Sequence, residues 1–99
     1  MSRITFSNTD GRTHLAIHGN FVFDLNREFR KAYSQSPPGQ PVTVDLSDST
    51  YMDSAGLGML IRLREHAGNR EDSVTLTGAN DAIRTILNVA NFGQLFRIT

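Results

Sequence analysis

The sequence predicts an α/β fold, a small mixed β-sheet with helices packed mainly on one face. Three observations carry that prediction. Ile4 and Phe6, then Leu15 and Ile17, alternate with polar residues around Asn8-Thr9-Asp10-Gly11, which is an antiparallel hairpin pattern. Downstream, strand-like and helix-like segments take turns, an order that implies right-handed crossovers onto one sheet. The 99 residues, 38% of them hydrophobic, suffice for one core and read as a single domain over 1–99.

The alternation starts at once, at Met1-Ser2-Arg3-Ile4-Thr5-Phe6. After Leu15 and Ile17, Gly19-Asn20 breaks the second strand, and Phe21 and Phe23 are expected to continue on one face as an optional third. Asp24 is placed to cap a helix whose apolar stripe is Leu25, Phe29, Ala32 and Tyr33, ended by Ser36-Pro37-Pro38-Gly39. Val42, Val44 and Leu46 alternate in the next strand, and Ser54 opens the next helix. Past Ala67-Gly68-Asn69, Val74 and Leu76 mark another strand. Asn80 or Asp81 caps a third helix with Ile83, Ile86, Leu87 and Ala90 on one stripe. Asn91-Phe92-Gly93 turns the chain into a short terminal strand, Leu95-Phe96-Arg97-Ile98. Repeats and low-complexity segments are absent from the sequence.

Composition narrows the function classes. The formal net charge is zero, against electrostatically driven nucleic-acid binding, which needs a net basic surface or stripe. Nine of the ten basic residues are arginines, Lys31 being the exception. With no cysteine there is no disulfide, thiolate metal site or cysteine nucleophile. The sequence has no apolar run of signal-peptide or membrane-spanning length, so a soluble cytoplasmic domain without a membrane role is expected.

The richest segment is Tyr51-Met52-Asp53-Ser54-Ala55-Gly56-Leu57-Gly58-Met59-Leu60-Ile61, directly after the strand Val42–Leu46. It puts a serine in what should be a helix's first turn. There the backbone N–H groups lack intrahelical partners and the macrodipole is locally positive. Ser54 is expected as N-cap, at a point where a phosphate is electrostatically tolerated. A serine that can carry a phosphate without breaking the fold suits a reversible binding switch.

Gly56 and Gly58 cost that helix up to about 1 kcal/mol each, so something should offset them. Gly-Leu-Gly lacks the longer glycine spacing and the lysine of a nucleotide loop. Close backbone packing on the sheet and open access at Ser54 are the better reasons, and they leave a nucleotide-binding sensor as an alternative of a different class. At ~100° per residue, Leu57, Met59, Leu60, Ile61, Leu63 and Ala67 cover an arc of about 200°, wider than a core-facing stripe needs. The Met59/Leu63 edge, met by the loop Asp48–Asp53, is therefore the expected partner-contact surface. Full burial of both residues is the competing reading. Arg64 falls inside the apolar arc and is unexplained by the sequence, snorkelling at the helix end being one candidate role. Arg27, Arg30 and Lys31 form a basic patch on the first helix, a solvated face or one that meets an acidic partner.

Catalysis finds little support. Asp-Ser-Ala-Gly is not a nucleophile-elbow sequence, and no base is set beside Ser54 by spacing. His14 and His18 share a strand face, but with His66 they lack the carboxylate or cysteine cluster that would complete a metal site. No enzyme activity, metal or cofactor is expected.

The chain resembles the STAS domain family, specifically the small bacterial anti-sigma factor antagonists. The resemblance rests on the opening hairpin, Gly19, Val42–Leu46 leading to Asp53-Ser54-Ala55-Gly56-Leu57-Gly58, and the closing Ile86-Leu87-Asn88-Val89-Ala90-Asn91-Phe92. It implies a STAS fold and partner switching. The unphosphorylated form would bind an anti-sigma factor, often itself a serine kinase of the ATP-binding-fold type. Phosphorylation on Ser54 would release it, and a serine phosphatase would restore binding. Ala55 stands where many relatives carry a second serine, which removes an alternative acceptor. Ser54 is thus the expected phosphorylation site, with Asp24, Asp48, Asp53, Gly56, Met59 and Leu63 as partner-binding positions. The runner-up is an unmodified STAS scaffold module in a signalling or transport assembly.

Overall fold

The computed structural model describes residues 3–99, so Met1 and Ser2, at the start of the expected strand alternation, lie outside the described residues. The chain opens with the hairpin β1 (Ile4–Thr9) and β2 (Arg12–His18), paired antiparallel with Ile4 opposite Ile17. Its two-residue turn is Asp10-Gly11, with φ of 54° and 78°. Positive φ at both positions suits the right-handed twist of the flanking strands, and Asp-Gly supplies it at low steric cost.

Three strand–helix–strand units follow. They comprise α1 (Asn26–Tyr33), β3 (Val42–Asp48), α2 (Ser54–His66), β4 (Val74–Thr77), α3 (Asp81–Val89) and β5 (Arg97–Ile98). The sheet order is β1-β2-β3-β4-β5, with β2 to β5 parallel and β1 the antiparallel edge. Each crossover moves to the next strand in the same direction. Right-handed crossovers that never reverse lay all their helices on one face. Burial follows: Val42, Val44 and Leu46 are enclosed, while Thr43 and Asp45 look out from the uncovered face.

The core is built from Leu15, Ile17, Val44 and Leu76 of the sheet and Phe29, Leu60, Ile83 and Leu87 of the helices. An aromatic chain ties α1 to the end of α2, with ring centroids 4.9 Å apart for Phe21–Phe29, 5.5 Å for Phe29–Tyr33 and 5.2 Å for Tyr33–His66. Edge-on and tilted contacts of this kind are the favoured aromatic geometries. Burial pushes the Tyr33 phenol above its ordinary pKa, with the nearby Arg30 and Arg62 charges opposing. Among the described residues every buried side-chain nitrogen or oxygen has a hydrogen-bond partner, Thr13 for example donating to Gln40 at 2.8 Å.

Two expectations change. Phe21 and Phe23 do not share a strand face: Phe21 makes a single parallel bridge to Met52, and Phe23–Leu25 turn into a 3-10 helix. Nor does Asp24 cap α1, whose N-cap is Leu25 without a side-chain bond. The 3-10 turn places Asp24 within helical backbone, one position too early to reach the first free amides of α1. The third helix is capped by Asn80, whose Oδ1 accepts from the Ile83 N–H at 2.9 Å.

Candidate functional site

At the carboxyl end of β2 and β3 the chain segments 19–23 and 49–53 run side by side. The Ser49 hydroxyl donates to the Gly19 carbonyl at 2.7 Å, and Thr50 Oγ1 lies 2.8 Å from Asn20 Oδ1. The Phe21 N–H donates to the Tyr51 carbonyl at 3.0 Å, and the Asp53 N–H returns to the Phe21 carbonyl at 3.4 Å. From the next connection, the Asn80 amide donates to the Thr50 carbonyl at 3.3 Å. These bonds fix the loop that leads into α2.

Asp53, not Ser54, is the N-cap of α2. Its backbone is extended, and its Oδ1 accepts from the Gly56 N–H at 2.9 Å. Its other oxygen, Oδ2, accepts from the Phe23 N–H at 3.2 Å. One carboxylate thus satisfies amides at the start of two helical segments, which a serine hydroxyl is too short to do. Ser54 becomes the first residue of α2, exposed, with no hydrogen bond from its hydroxyl among the described residues. By position, its own N–H and that of Ala55 have no intrahelical acceptor.

The two glycines have different reasons. A Cβ on Gly56 would sit 2.7 Å from the Phe21 carbonyl oxygen and 2.7 Å from Met52 Cγ. Gly56 is therefore a close-packing residue, buried and unavailable to a partner. A Cβ on Gly58 would meet nothing within 4 Å.

The expected Met59/Leu63 contact edge is also corrected. Leu63 is 0% exposed and Met59 4%, because α2 packs against both the sheet and α1. The spare apolar arc lies instead on the other flank, where Leu57 and Ile61 are half-buried against the core. Arg64 on that flank donates from Nε to the Leu95 carbonyl at 2.8 Å and from its terminal nitrogen to Asn69. Its place in the apolar arc is that of a tie to the C-terminal turn.

Around Ser54 the exposed apolar surface comes from Phe23, 65% exposed, and Tyr51, 51% exposed. Neither is given a binding role by the sequence, Phe23 being expected only in a strand alternation with Phe21. For Phe23 the available signal is Asp53, two residues past Tyr51, but only the fold shows that it reaches the Phe23 amide. Phe23 also lines a cleft of about 180 Å³ with Asn26, Ala55, Gly58, Met59 and Arg62. Asp24 is exposed beside Phe23. Asp48 is exposed at the end of β3, its Oδ2 2.9 Å from His18 Nδ1, while His18 Nε2 lies 2.7 Å from Thr5 Oγ1. Asp53 is thus brought beside Ser54, whereas Asp24 faces Arg3, whose guanidinium donates to the Asp24 carbonyl at 3.1 Å, and Asp48 is engaged in a tie across the sheet end. Among the described residues no group of three or more His, Cys, Asp and Glu side chains is placed to hold a metal ion, and no helix is long and apolar enough to cross a membrane.

A mixed five-stranded sheet of monotonic order with three helices is the STAS fold. Residues 4–97 match the family model described as "Mlab, STAS domain", and the chain belongs to that family. It is 40% identical over 86 residues to a STAS-domain containing protein of Pseudomonas aeruginosa, covering 86% of this chain and 85% of that protein. An anti-sigma factor antagonist from Mycobacterium paratuberculosis has the same fold at 20% identity, with a TM-score of 0.77 over 96% of this chain and 82% of that one. The unphosphorylated form of the anti-sigma factor antagonist SpoIIAA superposes with a TM-score of 0.66 at 17% identity, covering 94% and 86% of the two chains.

Proposed function

We propose that the chain is an anti-sigma factor antagonist that works by partner switching, with Ser54 as the phosphorylated residue. The observation that carries the reading is the division of labour at the start of α2. Asp53 does the capping, so the Ser54 hydroxyl is exposed and has no structural bond to lose. A phosphoserine adds roughly −1.5 to −2 charges and three acceptors, and the first-turn amides can partly hold it. The fold should persist while the face gains negative charge. Beside the Asp53 carboxylate the phosphate deepens a negative potential. A loss of about 3–4 kcal/mol at an interface lowers affinity some hundreds-fold.

The neighbours' names support this role: SpoIIAA is known in unphosphorylated and phosphorylated forms of this fold. On this reading the unmodified chain binds an anti-sigma factor, a serine kinase of the ATP-binding-fold type phosphorylates Ser54, and a serine phosphatase reverses it. The role is one of binding, exercised in the cytoplasm and requiring no cofactor. A second reading, an unmodified STAS module in a larger assembly, draws on the exposed pair Phe23 and Tyr51, which would serve a constitutive interface equally well.

Lysate capture on folded Ser54→Ala and Ser54→Glu baits separates the two. An ATP-binding-fold kinase or other anti-sigma factor held by the Ala bait and lost from the Glu bait is the expected result. Identical partners on both baits would reduce Ser54 to an ordinary surface residue.

A further inference from the structure

We propose that the cleft between α1 and α2 receives a partner segment presenting one apolar side chain flanked by carboxylates. The inference rests on the reading of the Ser54 face as a protein-binding face, and it adds the chemistry of what binds there.

Gly58 is the first reason. It lies on the exposed side of α2 one turn beyond Ser54, its φ is not in the left-handed region, and a Cβ there would meet only open space. Neither packing nor backbone conformation calls for glycine, which is a poor helix residue compared with alanine. What glycine provides here is an open floor for the cleft. Phe23 and Ala55 make the accessible lining mainly apolar, with the buried Met59 closing its base. At about 180 Å³ the cleft is smaller than the usual small-molecule site and has room for one large side chain. Met and Phe suit an adaptable anchor pocket of that kind.

Charge is the second reason. Arg62 stands on the rim, and Arg30 lies one helical turn beyond Asn26 on the facing helix. Both act electrostatically on Tyr33, between the two helices, together with Glu65, the carboxylate of this region. Arg27 and Lys31 extend the basic surface along α1. None of these four cations forms an ion pair among the described residues, whereas Glu28, on the other side of α1, is taken by Arg3 at 2.7 Å. Since the whole chain is neutral, this excess is local, and the Asp53 carboxylate lies at the opposite end of the cleft, beside Ser54 and the Phe23 amide. A partner segment with carboxylates toward Arg30 and Arg62 fits this polarity. The same acidity would make it sensitive to a phosphate on Ser54.

The test is selection of a displayed library of random linear peptides on the full chain. The enriched peptides are then titrated against wild type, Gly58→Leu, the double variant Arg30→Glu/Arg62→Glu, and Ser54→Glu. The expected peptides pair a Leu, Ile, Phe or Met with nearby Asp or Glu. Gly58→Leu should weaken them at least about tenfold while melting no lower than wild type, and the charge-reversed variant should weaken them similarly. No enrichment, enriched peptides without carboxylates, or a Gly58→Leu affinity within about twofold of wild type would overturn the proposal. Ser54→Glu reports on the switch separately. If it alone leaves peptide affinity unchanged, the cleft stands and the phospho-switch reading fails; if it alone weakens binding, the reverse holds.

Discussion

Asp53 accepts from the Gly56 N–H at 2.9 Å and from the Phe23 N–H at 3.2 Å, so its two oxygens hold the entry to α2 and the 3-10 turn together. Asparagine in its place has one carbonyl oxygen and can serve only one of these donors. Asp53→Asn should lose about 1 kcal/mol in urea denaturation, with faster hydrogen exchange at the Phe23 amide. The two glycines of the motif should respond oppositely to the same change. Gly56→Ala drives a Cβ to 2.7 Å from the Phe21 carbonyl and should destabilise by about 1–3 kcal/mol despite the better helix propensity of alanine. Gly58→Ala meets nothing and should stabilise by about 0.5–1 kcal/mol. Equal effects at the two positions would refute the distinction. The motif and its serine were legible in the sequence. Which residue caps was not, because Asp53 and Ser54 are both good caps and only the contact with Phe23, thirty residues away, favours the aspartate.

At the scale of elements, the strands were legible because one face of the sheet is covered and the other is not, which leaves a clean alternation in β2, β3 and β4. The stripe Leu25, Phe29, Ala32 and Tyr33 is buried as its spacing requires. The segment Phe21–Leu25 was misread since a bridge followed by a 3-10 turn has no period of its own, and alternation carried across it put Phe23 on the wrong side. The width of the α2 arc was read correctly, but not its direction. A helix lodged between a sheet and α1 buries more than one stripe, and that packing enclosed Met59 and Leu63. Tyr33, at the centre of that packing, gives a test by pH. Burial raises its pKa in the folded chain above the unfolded value near 10. Its contribution to stability is therefore complete below about pH 10 and is lost as pH rises through the folded value. Urea midpoints from pH 8 to 11 should fall more steeply for wild type than for Tyr33→Phe, and parallel curves would contradict it.

For the molecule as a whole, the connectivity that puts every helix on one face also brings the carboxyl ends of β2 and β3 together. The segments 19–23 and 49–53 meet there, and Ser54, Phe23 and Tyr51 share one exposed end of the domain. A charge added there can change what binds without passing through the core. The decisive measurement is calorimetric titration of the partner captured by the Ser54→Ala bait against two preparations of the full chain, one unmodified and one carrying phosphoserine at position 54, with amide NMR spectra recorded on both. Binding weaker by some hundreds-fold for the phosphorylated chain, with spectral changes confined to the neighbourhood of Ser54, is expected. Affinities within about twofold of each other would contradict the switch, and a phosphorylated chain that unfolds would contradict the claim that Asp53 leaves Ser54 free of structural duty.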